Sequence, residues 1–344
     1  MNHKERFLAT LARDPVDRPA CWFGIPHEGA YPQLFSYYKV ASQRELKLAI
    51  GDDAWQVDVP YHCPPANHIA CAFNFAKSGA MEYEQRTLTS PGFFEDCTDP
   101  AQIEDFLWPD PAEHMYPAEC RDLVDNVPAD YPVFAILWSA HFQDVLAAFG
   151  MAKAFVRMKK APAIFNAVQE KIIEFYLKAN DIFYKATEGH LDAILIGNDY
   201  GGQTKLLLSP AQIREFALPG AKRLIDQAKE YGVKVIYHSC GSIYDIIPDL
   251  IALGVDAIHP IQATAAQMEA ERLQQDFGDQ VSFVGGLDAQ HLLLNGTPEQ
   301  IQSRVRELKA LYPTGLVISP SHEAIVPEIP PANIAALIDE VTNG

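Results

Sequence analysis

The sequence predicts an α/β protein of the (β/α)8 TIM-barrel class, with an N-terminal helical extension and an elaborated early connection. Three observations carry that prediction. Short apolar runs recur between longer helix-patterned segments. Explicit helix-start signals follow several of those runs. The length, 344 residues, is one that such barrels reach as a single domain. A doubly wound open sheet is the alternative with the same alternation of strand and helix.

Taken in order, the charged amphipathic start, MNHKERFLATLARDPVDRP, reads as a helix ahead of the barrel. ACWFGI (20–25) and AWQVDVP (54–60) read as the first two strands. Six more follow: PVFAILWSA (132–140), DAILIGND (192–199), KVIYHSC (234–240), DAIHPI (256–261), VSFVGG (281–286) and GLVISPS (315–321). Each is nearly continuous in apolar residues, as strands covered on both faces of a parallel sheet are. Ser209, Pro210 and Gln212 form an N-cap, a first-turn proline and a capping-box partner, and Thr297, Pro298 and Gln300 repeat the arrangement. Residues 60–130 are rich in Pro, Asn, Asp and aromatics with weak periodicity, which predicts a long connection carrying a hairpin within one domain spanning 1–344.

Charge excludes one class of function. With 27 basic against 45 acidic residues the net charge is −18, and no basic stripe is present, so nucleic acid is not an expected partner. The N-terminus lacks the apolar core of a secretory signal, and no stretch approaches the roughly 20 uncharged apolar residues of a membrane span. A cytoplasmic protein with no membrane partner is expected. Six irregularly spaced cysteines argue against a disulfide framework.

In a barrel, side chains at the C-terminal strand ends converge on one mouth. Here those ends carry Asn198 and Asp199, His238 and Cys240, His259, Asp288, and His322 with Glu323. Residues two apart on an extended segment point to one side, so His238 and Cys240 can face one ion. Imidazole and thiolate together suit Zn²⁺, which in catalytic sites takes three protein donors and leaves a position open. His322 is the expected third donor. The plain alternative is a polar strand end closed by Gly241. A rival set, His62, Cys63, His68 and Cys71, has ligand-type residues but no standard zinc spacing. Asp199 either orients a ligand, acts as a general base, or caps the turn before Gly201. Asn198, Tyr200, Gln203, Asp288 and Trp22 are the expected substrate contacts, with Asp288 equally suited to an N-cap. Nucleotide, metalloprotease and nucleophile-elbow motifs are absent.

ERFLATLARDPVDRPACWFG, GDDAWQVD, VIYHSCG, FVGGLDAQHLLLNGTPEQI and ISPSHEAIVPEIPPANIAALIDEV together resemble the uroporphyrinogen decarboxylase superfamily, whose members are (β/α)8 barrels. The true decarboxylases of that superfamily carry an arginine-rich N-terminal segment for the carboxylates of a tetrapyrrole. The corresponding CWFGIPHEGAYPQL contains no arginine, so tetrapyrrole decarboxylation is set aside. The other branch consists of methyltransferases that work with corrinoid proteins and bind zinc through a His-x-Cys pair and a later Cys. His238 and Cys240 match the pair, and His322 stands where that branch has cysteine. IGNDYGGQTKLLLSP looks like a motif of a bacterial subgroup of poorly defined substrates whose members often stand beside corrinoid proteins. The resemblance implies a zinc-dependent methyltransferase moving a methyl group between a small molecule or thiol and cobalamin carried by a partner corrinoid protein. A decarboxylase or lyase for a smaller acid, and a non-catalytic barrel binding metal or a small molecule, are the alternatives.

Overall fold

The computed structural model describes residues 1–63, 67–76 and 86–344. Among the described residues nine strands occur, β1 (Ile25–Pro26), β2 (Trp55–Asp58), β3 (Val133–Trp138), β4 (Ala193–Gly197), β5 (Lys234–His238), β6 (Ala257–Ile261), β7 (Ser282–Leu287), β8 (Leu316–Pro320) and β9 (Ala324–Ile325). Strands β2 to β8 form a seven-stranded sheet in which every strand lies parallel to its successor. Helices cross between them, as parallel pairing demands. The two-residue β1 and β9 pair separately, just beyond the end of β8.

The sheet is thus α/β and parallel as expected, but seven strands stand in its ladder rather than the eight of a full (β/α)8 barrel. The expected first strand, 20–25, lies beside β8 through a single bridge, Cys21 to Ile318, supported by Trp22 N–H to the Ile318 carbonyl at 3.1 Å. On its other side the reason it makes no ladder is visible. Cys21 N–H and Phe23 N–H, which would otherwise donate to β2, donate to the side chains of Asp53 at 3.0 Å and Asp52 at 2.9 Å. Carboxylates have taken the place of strand carbonyls.

Side-chain alternation divides the core into two layers. Phe134 and Ile136, Ala193 and Leu195, Ile236, Ala257, Val284 and Val317 face the inside of the curled sheet, packed with Trp22 and with Phe7 and Leu11 of the N-terminal helix His3–Ala12. That helix closes the bottom, where the Ser282 hydroxyl donates to the carbonyls of Thr10 and Leu11. The alternate residues, such as Ala135, Leu137, Ile194, Ile196, Val235 and Tyr237, face the helices. Burying each large aliphatic side chain contributes about 1.5–3 kcal/mol.

Both capping boxes form. Ser209 caps helix Pro210–Phe216 and Thr297 caps helix Pro298–Leu311, each with a glutamine returning the bond. Where the long connection was expected to carry a hairpin, its described residues hold two isolated antiparallel bridges, Pro60 with His68 and Ala76 with Gly92. Among its described residues the rest is turns, short 3-10 helices and the α-helix Pro117–Asp125, and Phe73 of the connection packs on Phe175 of helix Pro162–Ala186 at 4.8 Å. Among the described residues no helix is long and apolar enough to cross a membrane.

Candidate metal centre and cleft

At the C-terminal end of the sheet a cleft of about 310 Å³ is lined by Trp138, Gln143, Asp144, Asp199, His238, Cys240, His322 and Glu323, with Ala70, Leu88 and Ala140 beside them. The same alternation that fills the interior delivers this lining. On β5 the inward series Ile236, His238 continues to Cys240, and on β3 Phe134 and Ile136 continue to Trp138. Strands β4 and β5 approach so closely that a Cβ on Gly197 would collide with the His238 carbonyl. Gly241, at φ 84°, turns the chain away directly after Cys240 in a conformation that glycine adopts without steric cost.

The donor atoms of Asp199, His238 and Cys240 all lie within 4.8 Å of one another. His238 Nε2 stands 3.2 Å from Asp199 Oδ1 and 3.4 Å from Cys240 Sγ. Asp199 is held from both sides, accepting from Cys240 N–H at 2.9 Å and from the Gln143 amide at 3.1 Å. The other nitrogen of His238, Nδ1, is 2.9 Å from His259 Nδ1 and 3.8 Å from Glu323 Oε2, and these residues form a second set within the same limit. Glu323 Oε2 and His259 Nε2 are buried without a hydrogen-bond partner.

Burial opposes charge on His238, but Glu323 and Asp199 outweigh it and hold the imidazolium well above its usual range. Asp199 is held down to about 2 against its own burial, chiefly by the bond from His238. Burial would raise the Cys240 thiol, yet bonds with His238 and His322 lower it. His322 is raised, first by Cys240. Burial, then the neighbouring imidazoles, drives His259 well below the usual range, so it stays neutral. A thiol pushed toward thiolate beside nitrogen and oxygen donors is what a divalent metal requires of a site.

The expected donors His238, Cys240 and His322 are therefore brought to one cleft, but the tight group contains Asp199 rather than His322. His322 contacts Cys240 from the loop after β8, where its Nδ1 also accepts from Ala324 N–H at 3.1 Å. The five expected substrate contacts lie elsewhere. Asn198 and Tyr200 are buried on the helix-facing side, because alternation that turns Asp199 inward turns its neighbours out. Asn198 Oδ1 accepts from Phe142 N–H at 2.8 Å and Gln143 N–H at 3.2 Å, and the Tyr200 hydroxyl meets that of Tyr237 at 2.7 Å. Gln203 is exposed on the following loop. Asp288 accepts from Gln290 and His291 N–H, so it caps its own turn. Trp22 is buried below the site, its indole N–H donating to Gln56 and its ring 5.5 Å from that of His259. The rival residues in the connection form no metal group among the described residues, and His62 binds Glu119 instead.

His259 and Glu323, expected among the ligand-type residues at the strand ends, lie at the site, while Trp138, Gln143 and Asp144 are site residues not expected from the sequence. Strand parity pointed to Trp138. Gln143 and Asp144 belong to the first turn of helix His141–Phe149, and no motif marks them.

A family profile described as uroporphyrinogen decarboxylase (URO-D) matches residues 78–344. The chain belongs to this family. Among curated members and kin, a methylated-thiol–coenzyme M methyltransferase of Methanosarcina mazei is 35% identical over 29% of the chain and 25% of its own length. A uroporphyrinogen decarboxylase of Syntrophotalea carbinolica is 27% identical over 53% of the chain and 49% of its own. A methylcobamide:CoM methyltransferase of Methanosarcina mazei is 27% identical over 38% of the chain and 36% of its own. The matches thus span at most about half of these relatives. A solved methyltransferase from Methanosarcina mazei has a similar fold, with a TM-score of 0.69 at 17% identity over 99% of this chain and 98% of that one.

Proposed function

We propose that the chain is a zinc-dependent methyltransferase of the URO-D family, moving a methyl group between a small molecule or thiol and a separate corrinoid protein. The observation that carries this reading is the convergence of Asp199, His238 and Cys240 at the floor of an open cleft. The kinship with enzymes named for methyl transfer to thiols and from methylcobamide supports it. So does the stretch after Cys21, which runs against the Glu323 backbone with no guanidinium to receive a tetrapyrrole's carboxylates. We further read residues 20–26 as the eighth stave, closing a (β/α)8 barrel between β8 and β2.

Zinc fits the donors present: a sulfur disposed to ionise, an imidazole nitrogen and a carboxylate, with His322 adjacent as a further donor. When bound, the ion would supply the Lewis acidity that keeps a thiol as thiolate. The protein's own groups prepare that task. His259, neutral and 2.9 Å from His238 Nδ1, fixes the proton on that side and leaves Nε2 toward the cleft. Asp199 holds the Cys240 backbone, and Gln143 holds Asp199. Trp138 meets the His238 ring in a T-shaped arrangement, 5.2 Å between centroids, and walls the cleft where a small molecule would sit. The cleft opens outward, toward a corrinoid carrier.

Two measurements test the proposal. Metal analysis of purified protein should find close to one zinc per chain, most of it lost in Cys240→Ala while the chain stays folded. Methylcobalamin with a panel of thiols should give methylated thiol in a zinc-dependent manner. Protein that carries no zinc after metal-replete expression and methylates no thiol would point to a metal-free lyase, and zinc without turnover to a binding barrel.

A further inference from the structure

The cleft is short of positive charge. Asp144, Asp199 and Glu323 line it, and among the described residues no lysine or arginine does. Its potential cations are the imidazoles of His238 and His322, already engaged by Asp199, Glu323 and Cys240. A divalent ion would take imidazole as a neutral ligand and draw off that charge. The Cys240 thiolate and two carboxylates then exceed the ion's two positive charges, and a thiolate substrate adds one more negative charge. A further fixed anion on the small molecule would meet surplus negative charge in a weakly screened cavity, on a chain of net charge −18.

What the lining offers instead is an indole ring and carboxylates. Trp138 walls one side, with Leu88, Ala70 and Ala140 supplying apolar surface. Asp144 faces the cleft while one of its oxygens accepts from the buried Tyr176 hydroxyl at 2.6 Å. Burial pushes this carboxyl up to about 7 despite that bond, so it offers a neutral acid or an anion. An indole beside carboxylates receives ammonium and quaternary ammonium groups well and sulfonates or carboxylates poorly.

Building on the proposed methyl transfer, we infer that the small-molecule partner carries a positively charged or uncharged group next to its methyl or thiol centre, and that Asp144, Asp199 and Glu323 select against anionic molecules.

The zinc-loaded protein tests this with matched thiols at fixed ionic strength. Cysteamine, 2-mercaptoethanol and 2-mercaptoethanesulfonate are compared as acceptors from methylcobalamin, each corrected for its ionised fraction. Catalytic efficiency should fall in that order, by about tenfold between the ends. Calorimetric titration with the unreactive thioethers 2-(methylthio)ethylamine and 2-(methylthio)ethanesulfonate gives an answer independent of turnover. Ammonium binding about tenfold tighter, with no thiol methylated, would uphold the charge selection and remove the methyl-transfer reading. Sulfonate binding as tight as ammonium binding, or sulfonate turnover as fast, would overturn the selection and leave methyl transfer standing.

Discussion

Asn198 and Asp199 are neighbours with opposite duties, and the difference lies in which way each side chain leaves the strand. Asp199 reaches the cleft. Asn198 points to the helix layer, where it satisfies Phe142 N–H and Gln143 N–H, orphan donors of the first turn of helix His141–Phe149, and donates to His141 and Tyr237. It thereby sets the position of Gln143 and Asp144, both cleft residues, without touching the cleft. Replacing Asn198 by leucine strands those donors in a buried place, so stability should fall by about 1–3 kcal/mol. Gln203→Ala, at an exposed loop position, should change stability by less than about 0.5 kcal/mol. Urea unfolding of both variants checks the pair, and equal losses would refute the assigned roles.

At the scale of elements, the continuous apolar runs were legible in the sequence as strands, and the one expected at 20–25 is buried on both faces like the others but joins the sheet by a single bridge instead of a ladder. VSFVGG and KVIYHSC appear as β7 and β5 within two residues of their expected ends, because continuous apolar runs leave few other places to go. ACWFGI has the same composition, yet Asp52 and Asp53, thirty residues on, intercept its N–H groups, and nothing local announces that. Likewise His238 and Cys240 were legible through their spacing and Glu323 through its place at a strand end, whereas Gln143 and Asp144 depend on which elements meet across the mouth. The carboxylate device is testable. Asp52 accepts Phe23 N–H and pairs with the buried Lys47 at 2.5 Å. Asp52→Ala should cost about 3–5 kcal/mol, since it leaves the lysine uncompensated. In hydrogen exchange, the Phe23 amide should lose protection while the β5 amides keep theirs under conditions where the variant remains folded.

For the molecule as a whole, two carboxyls far from each other should shape stability against pH with opposite signs. Asp53 is fully buried beneath the sheet, where it joins the N-terminal helix to the chain after it through Arg6 at 2.8 Å, Arg18 at 2.6 Å and His3 at 2.9 Å. Although burial alone would raise it, these partners hold it down to about 2, from 3.8. A depressed carboxylate stabilises fully above its unfolded value and loses that contribution as pH falls from about 4 to about 2, here on the order of 2 kcal/mol. Asp144 is raised from 3.8 to about 7 by burial, so the folded chain keeps a proton that the unfolded chain releases. Stability is then greatest below about pH 4 from this group and declines as pH rises toward 7, by about 2–4 kcal/mol. Urea midpoints measured on metal-free protein should therefore show Asp53→Asn with a flattened acid limb and lower stability at pH 7. Asp144→Asn should lack the decline between about pH 4 and pH 7 and be the more stable chain at neutrality. The neutral-pH gain separates the two sites: a loss there would mean that the Asp144 carboxylate is compensated in the folded protein, and that the cleft holds it as an anion.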